Sequence, residues 1–246
     1  MKKILVLTLI AMCSYSVFAF ELNTLIDSPT AGLMQKGEAE IAAKLYKNNG
    51  LVLGTKIGLF PRFMLGVNYG AEQVVGNENP LWHDRVEFNC KLRFLDESAQ
   101  LPAIALGYDS QGHGEYDPDN RRYDIKSKGA FLVASKNYFF LGNVGFHLGA
   151  NYSLEHKDEE EDKDINLFAG FDKSIGDMFV LLAEYDTAWN DNKSNMTEGK
   201  GFLNAAMNIH FTEYLVLKIA FYDLLQNRID TEGCDRTLSL YYNMTF

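Results

Sequence analysis

The segment Arg236-Thr-Leu-Ser-Leu-Tyr-Tyr-Asn-Met-Thr-Phe246 decides how the rest of the chain is read. Side chains alternate between the two faces of a strand with period two. Leu238, Leu240, Tyr242, Met244 and Phe246 therefore share one face, while Thr237, Ser239, Tyr241, Asn243 and Thr245 share the other. About ten residues alternating apolar and polar have the length and pattern of a strand that crosses a bilayer. The competing reading is the edge strand of a soluble β-sandwich.

The same template applied upstream yields eleven more segments, roughly 38–47, 51–60, 62–71, 84–95, 101–109, 127–138, 142–155, 164–173, 177–187, 200–210 and 213–223. In one, Val86, Phe88, Cys90, Leu92 and Phe94 oppose Arg85, Glu87, Asn89, Lys91 and Arg93. The segment around Phe131 to Ser135 is ambiguous, because small and apolar residues occupy both faces. Tight turns (60–63, 139–142, 174–177, 211–214) alternate with longer polar loops (71–83, 110–126, 156–163, 188–199, 224–233). The short connection Asn48-Asn-Gly50 is an exception, falling where a long loop is expected. Phe60, Phe63, Tyr138, Phe139, Phe140, Phe211 and Tyr214 crowd the strand ends, where an interfacial girdle belongs. The expectation is all-β: a transmembrane antiparallel up-and-down β-barrel of about twelve strands over residues 37–246, with short periplasmic turns and longer extracellular loops. A closed ring pairs every backbone group, as hydrocarbon requires.

Residues 1–19 read as a secretory signal: Lys2 and Lys3, an apolar run from Ile4 to Met12, and a Val17-Phe-Ala19 cleavage site. Met12 stands before Cys13 where a lipoprotein signal carries a small residue. Residues 20–36 are too irregular for a strand; folding into the lumen as a plug is one place for them, and the sequence leaves open whether they take it. The net charge of −10 becomes −12 without Lys2 and Lys3, which argues against nucleic acid as a partner. Cys90 and Cys234 are expected as free thiols, so disulfides do not build this scaffold. The reading assigns no cofactor and no metal, and leaves the oligomeric state open.

Two features resemble known groups. A terminal Phe on an alternating last strand resembles bacterial outer-membrane proteins; it implies that Leu240, Tyr242, Met244 and Phe246 form an assembly signal read by the barrel-assembly machinery. Asp27-Ser-Pro-Thr-Ala-Gly32 with Gly37-Glu38, Pro102-Ala-Ile-Ala-Leu-Gly-Tyr-Asp-Ser-Gln-Gly-His-Gly114, and Gly129-Ala-Phe-Leu-Val-Ala-Ser-Lys136 are similar to stretches of the YjbH-like outer-membrane proteins linked to exopolysaccharide production. These stretches cover about a third of the mature chain, and YjbH proteins are much longer. The resemblance implies a Gram-negative outer-membrane location among lipid and lipopolysaccharide, and a role in envelope or exopolysaccharide export.

The lumen face carries charges of both signs: Glu38, Glu40, Lys44, Lys56, Arg85, Glu87, Lys91, Arg93, Glu184, Asp186 and Lys218. Buried charges must be paired or hydrated, so they form either a salt-bridged filling or the lining of a narrow water path. The leading function is a non-enzymatic barrel, structural or a narrow channel. The alternative is an outer-membrane hydrolase acting on lipid or peptide through Glu184 and Asp186, or through His147 as base. No His precedes a Ser by two positions, and charge pairing of Glu184 and Asp186 with Lys218, Lys91, Arg93 or Lys56 is the simpler expectation. The acidic run Lys157–Asp162 reads as a solvated loop rather than a cation site. Asp117-Pro-Asp-Asn120 lacks the third ligand and the glycine of a calcium loop.

Overall fold

A computed structural model of the chain describes residues 21–77, 79–155, 162–193, 196–229, 231 and 233–246. The proposed signal (1–19), Phe20 and residues 157–161 of the acidic run lie outside them. The described elements are β1 (Glu38–Tyr46), β2 (Gly50–Phe60), β3 (Phe63–Glu72), β4 (Leu81–Trp82), β5 (Glu87–Leu95), β6 (Ala103–Asp109), β7 (His113–Asp117), β8 (Arg122–Ile125), β9 (Gly129–Phe139), β10 (Asn143–Tyr152), β11 (Asn166–Ile175), β12 (Phe179–Asp186), a single 3-10 turn (Trp189–Asp191), β13 (Phe202–His210), β14 (Leu215–Tyr222) and β15 (Asp235–Thr245).

Twelve of these strands form one antiparallel ring, β1-β2-β3-β5-β6-β9-β10-β11-β12-β13-β14-β15, which closes where β1 pairs with β15 in the register Glu38↔Thr245 to Leu45↔Leu238. All twelve sequence-derived segments find their strand. The chain is thus an all-β, closed, twelve-stranded barrel. The 48–49 connection joins β1 to β2 at the long-loop end with both asparagines at positive φ, 54° and 55°, a conformation Asn tolerates.

Alternation sorts the side chains as expected. Leu238, Leu240 and Tyr242 are exposed on the outer wall, whereas Thr237, Ser239 and Asn243 of the same strand are buried inside. Around the ring, Leu53, Leu65, Phe88, Leu106, Leu148 and Leu181 lie exposed outside. Such a continuous apolar exterior fits hydrocarbon rather than water. Phe60, Phe139, Phe140, Phe211 and Phe246, all exposed, rim the short-turn end. No helix among the described residues is long and apolar enough to cross a membrane. Cys90 and Cys234 are free thiols.

Two short strands stand apart from the ring. β7 and β8 pair with each other inside the 110–128 connection, where the sequence pattern indicated only loop.

Candidate functional site: the lumen

The lumen is filled from both ends by the chain itself. From the short-turn end, residues 21–36 enter as a tight reversal: Thr24 bridges Pro29, and Leu25 N–H donates to Ser28 O at 2.9 Å. Gly58 of β2 makes room for the entry, because a Cβ there would lie 1.9 Å from Gln35 O. Leu25, Ser28, Thr30 and Ala31 are fully buried within the ring.

Charged lumen side chains hold this segment by its backbone. Lys91 donates to the carbonyl oxygens of Asn23, Thr30 and Gly32 at 2.6, 2.8 and 3.0 Å. Lys218 donates to Leu25 O. The Glu184 carboxylate accepts the N–H groups of Ile26, Asp27 and Ser28 at 2.9–3.1 Å and the Asn204 amide at 2.8 Å. Lys56 pairs with Glu40 at 3.2 Å and donates to Asn23 Oδ1 at 2.9 Å. The expected pairing of Glu184 and Asp186 with Lys218, Lys91, Arg93 or Lys56 is therefore corrected. Asp186 pairs with Lys128 and accepts from Asn166. Glu184, Lys91 and Lys218 instead satisfy a non-strand backbone, whose unpaired N–H and C=O groups create the demand. That demand was invisible until the segment's place was known.

From the long-loop end, the β7–β8 hairpin turns inward over the mouth. Arg122 reaches Asp191 of the 187–201 loop, and Lys126 donates to Asn190 O at 2.9 Å. Tyr123 is fully buried and its hydroxyl donates to Glu87 at 2.9 Å, while Arg85 pairs with the same Glu87 and touches Tyr116. His113 stacks on Tyr222 with ring centroids 3.7 Å apart, beside Lys44, whose ammonium donates to the Tyr222 hydroxyl at 3.1 Å. Burial, with help from the Lys44 charge, pushes the His113 pKa down, and Asp235 only partly offsets it. Asp124 ties the hairpin to Lys47 at 2.6 Å and to Arg228 at 3.1 Å. The two insertions meet: Leu25 and Ile26 from below share one apolar cluster with Ile125 from above, walled by Leu182, Phe202 and Tyr222.

The remaining sequence-derived charges also fall inside or at the rims. Glu40 is buried, Arg93 pairs with Glu21 and Asp96 near the short-turn end, and Glu38 accepts from Gln35 N–H there. Of the proposed assembly residues, Leu240 and Tyr242 face outward on β15, Met244 is half-buried near the short-turn end, and Phe246 is exposed with its N–H donating to Gly37 O at 2.8 Å. Asn151 and Asn243 point inward. No cluster of three or more His, Cys, Asp or Glu able to hold a metal occurs among the described residues.

One arrangement escaped the sequence reading. Ser135 of β9 and His147 of β10 face each other across the hairpin, with Ser135 Oγ 2.7 Å from His147 Nδ1. His147 Nε2 lies 2.9 Å from Asp172 Oδ1 of β11. Gly145 leaves the space for this diagonal reach, since a Cβ there would meet Asp172 Oδ1 at 2.2 Å. Ser135 Oγ also accepts the Ala31 N–H of the inserted segment at 2.8 Å. Beside this group, Ala31, Ala103, Ala105, Phe131 and Val133 form one buried cluster with Phe168.

No protein-family model matches the chain, and no curated protein matches it. Several solved structures are similar in overall path. A KdgM porin is 9% identical with a TM-score of 0.48, matching 85% of this chain and 99% of that one. A NanC porin is 8% identical, with a TM-score of 0.49 and the same coverage. The Acinetobacter baumannii outer membrane protein Omp33 is 8% identical with a TM-score of 0.48, over 85% of this chain and 97% of that one.

Proposed function

We propose that this chain is an outer-membrane β-barrel whose lumen is a narrow channel held shut by its own N-terminal segment. It would be exported through residues 1–19, inserted by the barrel-assembly machinery through its last strand, and surrounded by lipid and lipopolysaccharide. The apolar outer wall, polar interior and alternation of short turns with long loops support the membrane reading. The observation that carries the closure is the use of Lys91, Lys218 and Glu184. All three are buried, and they ligate the backbone of residues 23–32 rather than one another. A twelve-stranded ring is wider than one filled by its own side chains, so an inserted segment has room. Withdrawing it exposes two ammonium groups and a carboxylate to water, which is the lining of a narrow polar path. The connection to envelope or exopolysaccharide export rests only on the resemblance of residues 27–38 and 102–136.

Planar-bilayer conductance of the full chain tests this reading. The native protein should be silent or flicker rarely, and Glu184→Gln should conduct in long openings. Steady conductance of the native protein, or recovery of the protein from the soluble periplasm, would overturn it.

A further inference from the structure

We propose that Ser135 is an activated nucleophile, and that the lumen, once residues 21–36 withdraw, hydrolyses esters carrying a small apolar acyl group. This rests on the closure reading above and adds an activity to it.

The chemistry follows from three side chains. Asp172 accepts from His147 Nε2, which keeps the proton on that nitrogen and leaves the Nδ1 lone pair facing the Ser135 hydroxyl. The two ring nitrogens are used in the opposite sense to the familiar serine hydrolase arrangement. The division of labour is the same: hydroxyl to imidazole, imidazole to carboxylate, each link within hydrogen-bond reach. Ser135 and His147 are 3% and 6% exposed, so water does not compete for these links in the closed state.

A second, independent observation supplies the substrate class. The lumen is polar around most of its wall, but beside Ser135 it is apolar: Ala103 lies directly across the ladder from Ser135, with Ala105, Phe131, Val133 and Phe168 adjoining. The methyl group of Ala31 occupies this patch while its N–H rests on Ser135 Oγ. Ala31 thus stands where an acyl group would sit, and its departure frees both pocket and nucleophile. Lys91, which holds the carbonyl oxygens on either side of Ala31, leaves a cationic donor facing the same place.

In the reaction the Ser135 O–H bond breaks and its proton passes to His147 Nδ1 as Oγ bonds the acyl carbon. The C–O bond to the alcohol then breaks, and the alcohol leaves with that proton. Water attacks the acyl-serine, giving a proton to Nδ1. The bond to Oγ breaks, and Oγ recovers the proton. Ester and water become acid and alcohol.

The test uses full-length protein in detergent micelles, a fluorophosphonate probe, and p-nitrophenyl acetate and butyrate. Two variants loosen the segment: Ala31→Arg, which no longer fits the apolar patch, and Glu184→Gln, which weakens the anchor of residues 26–28. Protease cleavage within residues 21–34 reports release. Expected is at least about tenfold faster labelling, mapped to Ser135, in both released variants than in the native chain. The labelling should disappear in Ser135→Ala and drop about a hundredfold when His147→Gln is added. Release without labelling of Ser135, or labelling insensitive to His147→Gln, overturns the nucleophile. Failure of both variants to release the segment overturns the closure reading, and the inference with it.

Discussion

Arg122 donates two parallel hydrogen bonds of 2.7 Å to the two carboxylate oxygens of Asp191, across 69 residues of sequence. Both side chains are 2% exposed, so the pair joins the inward hairpin to the 187–201 loop out of reach of solvent. Fork-to-fork geometry of this kind fixes orientation as well as distance. It sets the position of Tyr123 and Ile125, and through Ile125 the upper limit of the inserted segment.

Asp191→Ala should remove both carboxylate bonds from the buried Arg122 guanidinium, at a cost of about 3–5 kcal/mol. The loss should be local, because none of the twelve ring strands is touched. The expected result is rapid protease cleavage within residues 113–125, with heat-modifiable migration of the barrel retained. Unfolding of the whole barrel at the same denaturant concentration would contradict this division. The double change Arg122→Met with Asp191→Leu should be milder than Asp191→Ala alone.

Acidification should loosen the same hairpin through His113. Burial holds its pKa below the ordinary value of 6.5, so the unfolded chain binds a proton more readily than the docked one. The contribution to stability is complete above 6.5 and declines as pH falls through the lower, docked value. Hydrogen exchange over residues 113–125 should accelerate between pH 7 and pH 5 relative to the ring strands. In His113→Gln the pH dependence should flatten, and an unchanged profile in that variant would rule out this residue as the origin.

Lys91→Met should destabilise the inserted segment. The change leaves three carbonyl oxygens without a charged donor, a loss of about 1.5–3 kcal/mol for a bond of this type. Residues 21–34 should become accessible to protease, and single-channel openings should lengthen. Equal protease resistance of variant and native protein would show that the segment is held without Lys91.

The last strand should show an asymmetry between neighbouring positions. Phe246→Glu removes an exposed rim aromatic and puts a charge where lipid headgroups meet hydrocarbon, so barrel assembly should fall severalfold. Thr245→Glu, on the opposite face, should be milder. Quantitative immunoblots of outer-membrane fractions compare the two, and equal levels would refute the assignment of faces.

The ring was legible in the sequence because one variable, side-chain parity, sets both strand identity and face. Leu238 and Ser239 need no partner to be sorted. The inserted segment was legible only as irregularity at residues 20–36. Its anchors were not, because Lys91 and Glu184 could be paired correctly only after the backbone at Thr30 and Ser28 had been placed. The β7–β8 hairpin was missed because its strands, five and four residues long, are too short to establish a period. Ser135 and His147 did leave a signal: the tight turn at 139–142 sets the β9–β10 register and makes them direct partners. Asp172 could not be added that way, since a long loop separates β10 from β11 and leaves the register free. The ambiguous faces around Phe131 have a physical cause. Phe131 and Val133 face inward onto an apolar patch, so the usual contrast between wall and lumen vanishes there.

The seam between β1 and β15 carries a consequence for biogenesis. It joins residues from the two extremes of the barrel, and residues 21–36 precede β1 directly while lying inside the ring. Loop-closure entropy is greatest for this pairing, so it is the slowest contact to gain from chance encounter. Because residues 21–36 run straight into β1, the strand that makes the seam also fixes where they enter the ring, so one closing contact sets both the wall and its filling.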